Sequence, residues 1–179
     1  MKRGLGILAF CWLAAWPARA AEVSPEYQVK AAFLLNFTRF IEWPRSAFSS
    51  PNAPFRICIA GRDPFGGALT AIIGGERVNS HPLMVEKLEG GQVSFSHCPM
   101  IFFPRSENNE AALIPRLGRG VLTVGETEDF LRIGGIIRFV LENNRVRFDV
   151  NQTAARRAGL LISSRLLKIA RYVESGGGQ

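Results

Sequence analysis

Residues 136–151 read IIRFVLENNRVRFDVN. Two runs rich in β-branched and aromatic residues, IIRFVLE and RVRFDV, flank Asn143-Asn144, and asparagine tolerates the positive φ that a two-residue hairpin turn demands. The stretch is therefore an antiparallel hairpin. Arg138, Arg145 and Arg147 alternate with apolar neighbours along it and fall on its less buried face. Upstream lie four further strand signals. FRICIAG (55–61) is a buried run, PLMVEKL (82–88) alternates apolar with polar, MIFF (100–103) is short and ended by Pro104, and VLTV (121–124) is short and apolar. Helical signals separate them. Alternating strands and helices followed by a hairpin predict a single α/β domain: a mixed β-sheet flanked by helices on both faces, with a C-terminal β-hairpin followed by helices.

The helices carry recognisable punctuation. Ser24-Pro25-Glu26 places a capping residue before a proline at the first helical position, and the helix then runs to Ile41. Val29, Phe33, Phe37 and Phe40 form one stripe, widened by Ala32, Leu34, Leu35 and Ile41. Pro44 forces Trp43 out of helical geometry and ends the element. Arg39 and Glu42 lie about one turn apart and are expected to pair at the surface. Asp63-Pro64 repeats the cap-plus-proline start for a helix stopping at Gly74-Gly75. Ser106 is expected to cap a helix through Leu117, and TEDFLRIGG (127–135) to form a brief helix closed by glycine. Asn151 caps a helix to Gly159, and Ser163 or Ser164 opens a last one to Glu174. The tail, 176–179, reads as disordered.

The start of the chain, MKRGLGILAFCWLAAWPARAAEVS, joins a basic beginning to an apolar run from Leu5 to Trp16 and an Ala18-Arg19-Ala20 cleavage pattern. That is the plan of a secretory signal peptide cut after Ala20, with the mature product in the periplasm. The expected organisation is a signal peptide over 1–20, a domain over 21–175 and the tail. Removing residues 1–20 takes three basic residues away, so 22 become 19 against 15 acidic ones, and the net charge falls from +7 to +4. The remaining basic residues are scattered, which argues against nucleic acid as a partner. Two cysteines survive, Cys58 and Cys98, an even count in an oxidising compartment, so a disulfide is the default. Closing a loop of that size stabilises by roughly 4 kcal/mol on the chain-entropy model. The competing redox reading wants the two cysteines close in sequence, and these are 40 positions apart.

Catalytic constellations are missing from the sequence. Its two histidines are His81, before a proline, and His97, beside Cys98. No G-x-S-x-G, H-E-x-x-H or Walker pattern occurs, so neither a catalytic residue, a metal ligand nor a cofactor is assigned. The turn AGRDPFGG (60–67) could offer backbone N–H groups to an anion, but Asp63 would put a carboxylate there, and N-capping explains it more simply. Arg138, Arg145, Arg147, Arg156, Arg157 and Arg165 crowd the C-terminal third. Either they are a solvated face, or Arg138, Arg147 and Arg165 line a site for an acidic small molecule or partner.

NFTRFIEWP (36–44), GRDPFG, LTVGE, GGIIRFVLENNRVRFDVN and AARRAGLLISSRLLKIA, in that order, resemble the YfiR family of small secreted bacterial proteins. The resemblance spans about Tyr27 to Val173. It implies a periplasmic repressor that binds the periplasmic region of an inner-membrane diguanylate cyclase and inhibits cyclic di-GMP synthesis. An outer-membrane lipoprotein sequesters such a repressor, which usually forms a homodimer. It also implies a partner-binding surface joining the Trp-Pro corner to the Asn151 helix and the last helix: Trp43, Arg45, Asn151, Arg156, Arg157 and Glu174. Cys58 and Cys98 match one cysteine pair of the family. The namesake type has a second pair near the Gly-Gly hairpin, which this chain lacks, so a redox handle there is gone. The alternative function is a periplasmic small-molecule-binding sensor module serving another membrane receptor.

Overall fold

Strand β2 (Phe55–Ala60) sets the plan of the molecule, because almost every residue in it is buried. A run apolar on both sides suits a central parallel strand covered on both faces, and that is its place in the computed structural model. The structure describes residues 24–88, 95 and 97–176; the expected signal peptide and residues 177–179 of the tail lie outside them. Parallel neighbours of β2 are β4 (His81–Leu88) and β5 (Met100–Phe103), and β6 (Leu122–Gly125) follows β5, again parallel. Beyond β6 come β7 (Ile137–Glu142), β8 (Arg145–Asn151) and, at the edge, β10 (Tyr172–Glu174); β3 (Arg77–Val78) forms the other edge. The hairpin β7–β8 is antiparallel, with Asn143 and Asn144 at φ 48° and 61°. The mixed α/β sheet of eight strands is thus present.

Alternation along the strands divides the core in two. Ile57, Ile59, Phe102, Leu122, Val124, Phe139 and Phe148 join one cluster, and Cys58, Ala60, Ile101, Phe103 and Phe130 the other. Helix α1 (Pro25–Phe40) covers the first face with Ala31, Leu34, Leu35 and Phe37, helped by α2 (Ala68–Ile73) through Leu69 and Ile73. The stripe is rotated from the expected one. Val29 is 45% exposed, and Phe33 is half-buried against Phe139 and Phe148. On the second face, α3 (Glu110–Leu113) and a 3-10 turn (Ile114–Arg116) pack Leu113 and Ile114 onto the smaller cluster. The Cys58–Cys98 disulfide forms there, with Cα atoms 5.8 Å apart. A separate ribbon pairs β1 (Ile41–Glu42) with β9 (Leu161–Ile162).

Several local expectations fail for identifiable reasons. Asp63 does not open a helix; its Oδ1 accepts from Phe65 N at 2.8 Å, and Gly66 and Gly67 then take positive φ, so α2 starts only at Ala68. Ser106 caps nothing, and α3 begins after Asn109. Residues 127–135 form turns instead of a helix, because Phe130 is drawn into the second face between two glycines. A Cβ on Gly125 or Gly135 would stand 2.2 or 2.3 Å from the Phe130 ring. Arg39 pairs with Glu76 at 2.7 Å and not with Glu42, which sits on β1 past the helix end. Asn151 does cap α4 (Gln152–Arg157), accepting from Ala154 N at 2.8 Å, and Ser163 caps α5 (Ser164–Ile169). That last helix stops at Ile169. Ala170 is extended, Arg171 N donates to Phe148 O, and the chain continues as β10 alongside β8. Gly176 N donates to Thr153 Oγ1 at 2.8 Å, so the tail's first residue is held.

Candidate functional site

The residues expected to meet a partner fall into two unlike groups. Arg45, Arg156, Arg157 and Glu174 are exposed. Trp43 and Asn151 are engaged by the fold. The Trp43 indole Nε1 donates to Pro99 O at 3.1 Å, and its ring meets Phe55 edge-on at 4.9 Å, so it ties the exit of α1 to the segment carrying Cys98. Asn151 is 5% exposed; its side chain caps α4, and its Nδ2 donates to Leu131 O at 3.4 Å. The β1–β9 ribbon connects the two ends of this surface, pairing Glu42, next to Trp43, with Leu161, just past α4. Glu174 lies beside Asn151 in the parallel pair of β10 and β8. An apolar cleft of about 380 Å³ borders the same α4, walled by Ile114, Leu117, Val121, Ile136 and Ala154, with Arg157 also lining it.

Of the arginines read as a ligand cluster, Arg138 and Arg147 share one face of the hairpin and Arg165 lies apart from them. Arg165 lies on α5, which packs through Leu166 into the α1 face, while Arg147 is exposed on β8. Arg138 shares the sheet face of Arg147, directly across from the buried Asp149, and its Nη2 donates to that carboxylate at 2.6 Å. Arg171 reaches the same carboxylate with Nε at 2.8 Å and Nη2 at 2.6 Å. Burial works to raise the Asp149 carboxyl, but the hydrogen bonds from Arg171 and then Arg138 outweigh it and hold it below the ordinary aspartate range.

A second buried charge centre sits where α1 begins. Lys30, 2% exposed, bonds Glu26 and Glu126, the latter 4% exposed at the end of β6. Glu126 also accepts from Arg105 N at 2.7 Å and the Tyr27 hydroxyl at 3.2 Å. Burial, and next the Glu126 carboxylate, push the Tyr27 phenol above its usual value. A cleft of about 920 Å³ opens between the two charge centres, lined by residues of both, including Tyr27, Arg105, Arg138 and Arg171.

Sequence reasoning missed both centres. The Arg138–Asp149 pair was recoverable, because a two-residue turn at Asn143-Asn144 puts those positions opposite each other. Lys30 and Glu126 are 96 positions apart, and no local pattern joins them. Among the described residues, no group of three or more His, Cys, Asp or Glu is placed to hold a metal ion, and no helix is long and apolar enough to cross a membrane.

A family model described as YfiR/HmsC-like matches residues 27–171. The chain is also similar to a solved conserved domain protein from Vibrio cholerae O1 biovar El Tor str. N16961, with a TM-score of 0.49 and 11% identity. The alignment covers 84% of this chain and 60% of that one, so the chain spans about three-fifths of that protein's length. No curated protein matches it significantly.

Proposed function

The chain belongs to the YfiR/HmsC-like family, and from that premise we propose that it is a periplasmic regulator of cyclic di-GMP signalling. In this reading a cleavable signal peptide over 1–20 exports a domain over 21–175. That domain, as a homodimer, binds the periplasmic region of an inner-membrane diguanylate cyclase and holds synthesis down. An outer-membrane lipoprotein relieves the inhibition by sequestering it. The observation that carries the proposal is the family match, which runs from the first turn of α1 to the residue before β10. The family is regulatory rather than catalytic, and the protein would work by mass action between two partners.

The docking surface in this reading is the exposed side of α4, with Arg156 and Arg157, together with Arg45 and Glu174. Trp43 and Asn151 support it from beneath. The test is intracellular cyclic di-GMP in the native host with and without the gene. Deletion should raise the nucleotide, and the exported protein should restore the original level. Arg157→Glu, at an exposed position, should restore it less well while folding normally. No change on deletion would sink the proposal. A second reading, a periplasmic module that binds a small molecule on behalf of another membrane receptor, draws on the charged cleft between α1 and β7.

A further inference from the structure

The cleft at the carboxyl ends of β5 and β6 combines features that the folded chain leaves unused. Open α/β sheets bind ligands just beyond the carboxyl ends of their parallel strands. Arg105 follows β5 there, Glu128 follows β6, and Tyr27, Arg138, Leu141 and Arg171 supply the walls. At about 920 Å³ the space is ample for a small organic molecule.

The charges around it are mostly spoken for. Glu26 and Glu126 share Lys30, which answers one of their two charges. Glu126 also accepts from Arg105 N and the Tyr27 hydroxyl, and Asp129 pairs with Arg132 at 2.6 Å. Asp149 answers one of the two guanidinium charges of Arg138 and Arg171, and Glu142 approaches Arg171 only to 3.5 Å. Among the described residues the Arg105 guanidinium makes no hydrogen bond or ion pair, and the Nε of Arg138 is buried with no acceptor. The unused donors of the cleft therefore lie on its Arg105–Arg138 side. On the other side the Glu128 carboxylate has no partner among the described residues, although the Glu128 carbonyl accepts from Arg138. A guanidinium without a carboxylate in a concave, partly apolar setting is a receptor for a planar anion.

We propose that this cleft binds a small organic monoanion with an apolar body, its carboxylate on Arg105 and Arg138 and its body against Tyr27 and Leu141. The Glu128 carboxylate at the cleft repels a second negative charge, so polyanions are disfavoured. The proposal rests on the second reading above and is independent of cyclase docking. Arg147 and Arg165 have no part in it.

The experiment is isothermal titration calorimetry of the purified protein with 3-phenylpropionate, citrate and inorganic phosphate at constant ionic strength. Saturable binding of 3-phenylpropionate is expected, at least fivefold tighter than either of the others. Arg105→Gln should weaken it at least fivefold, whereas Arg165→Gln, on α5, should leave it unchanged. Absence of saturable binding, a preference for citrate, or equal losses in the two variants would overturn the assignment. Because cyclic di-GMP levels are not the readout, such a failure would leave the repressor reading where it stands. Conversely, a deletion strain with unchanged cyclic di-GMP would not touch the cleft.

Discussion

On the α1 side of the sheet, Phe33 and Phe37 meet Phe139 and Phe148 with ring centroids 5.3 to 5.9 Å apart. On the opposite side the apolar cluster is smaller, and the joining is done by the Cys58–Cys98 disulfide and by Asp149 between two arginines. The difference lies in what each kind of contact depends on. Ring packing is driven by removal of apolar area from water, which neither reductant nor mild acid alters. A disulfide requires an oxidising compartment, and an ion pair requires an ionised carboxylate. The ring contacts should hold under all such conditions, while the disulfide and the Asp149 pairs are conditional.

The largest effect should come from the ring contacts. Phe37→Ala deletes a fully buried ring and is expected to cost about 4 kcal/mol in urea denaturation. The loss should be the same with and without reductant, and a dependence on reductant would break the contrast. Next, the double change Cys58→Ser with Cys98→Ser should cost roughly 3 kcal/mol. Dithiothreitol should lower the wild-type midpoint by a comparable amount and leave the double variant's midpoint in place.

A smaller change, Asp149→Asn, should cost about 2 kcal/mol at neutral pH, the scale of hydrogen bonds to charged groups. Its sign with pH follows from the depressed carboxyl. The stabilisation is complete above the unfolded aspartate value of about 4 and is lost as the pH falls through the lower folded value. Thermal melts of the wild type should therefore fall away in that acid window, and those of the variant should fall less steeply. The smallest of the four concerns the junction between β8 and α4. Asn151→Ala removes the cap on Ala154 N and should cost about 1 kcal/mol, read from the same denaturation curves.

Much of the α1 face was legible in the sequence because it is built from local periodicity. The proline-started helix, the buried run FRICIA and the hairpin around Asn143-Asn144 all announce themselves within a few residues. The charge pairs were less legible, since their parts come from distant places. Arg171 leaves the helical path where Asp149 and the edge of β8 give its guanidinium and backbone better partners, and on the α1 side Glu126 meets Lys30 across 96 positions. Trp43 shows the same limit from another side. Its position after the helix was readable, but its hydrogen bond to Pro99 O depends on where β5 lands, so its engagement with the fold was not. The arginine run of the C-terminal third was visible as composition, yet the fold scatters it. Arg105, the guanidinium left unpaired at the cleft, stands apart from that run.

The sandwich of Phe130 between Gly125 and Gly135 bears on how this sequence can drift. For Gly125 the three nearest obstacles to a Cβ are all atoms of the Phe130 ring, so any side chain at 125 has to wait until position 130 has become smaller. Gly135 is under a second constraint, because its Cβ would also stand 2.6 Å from the Phe130 carbonyl oxygen, which no change of side chain removes. The two glycines, equivalent by eye, should therefore diverge among descendants. Position 125 should vary in concert with 130, and position 135 should stay glycine whatever its neighbours become.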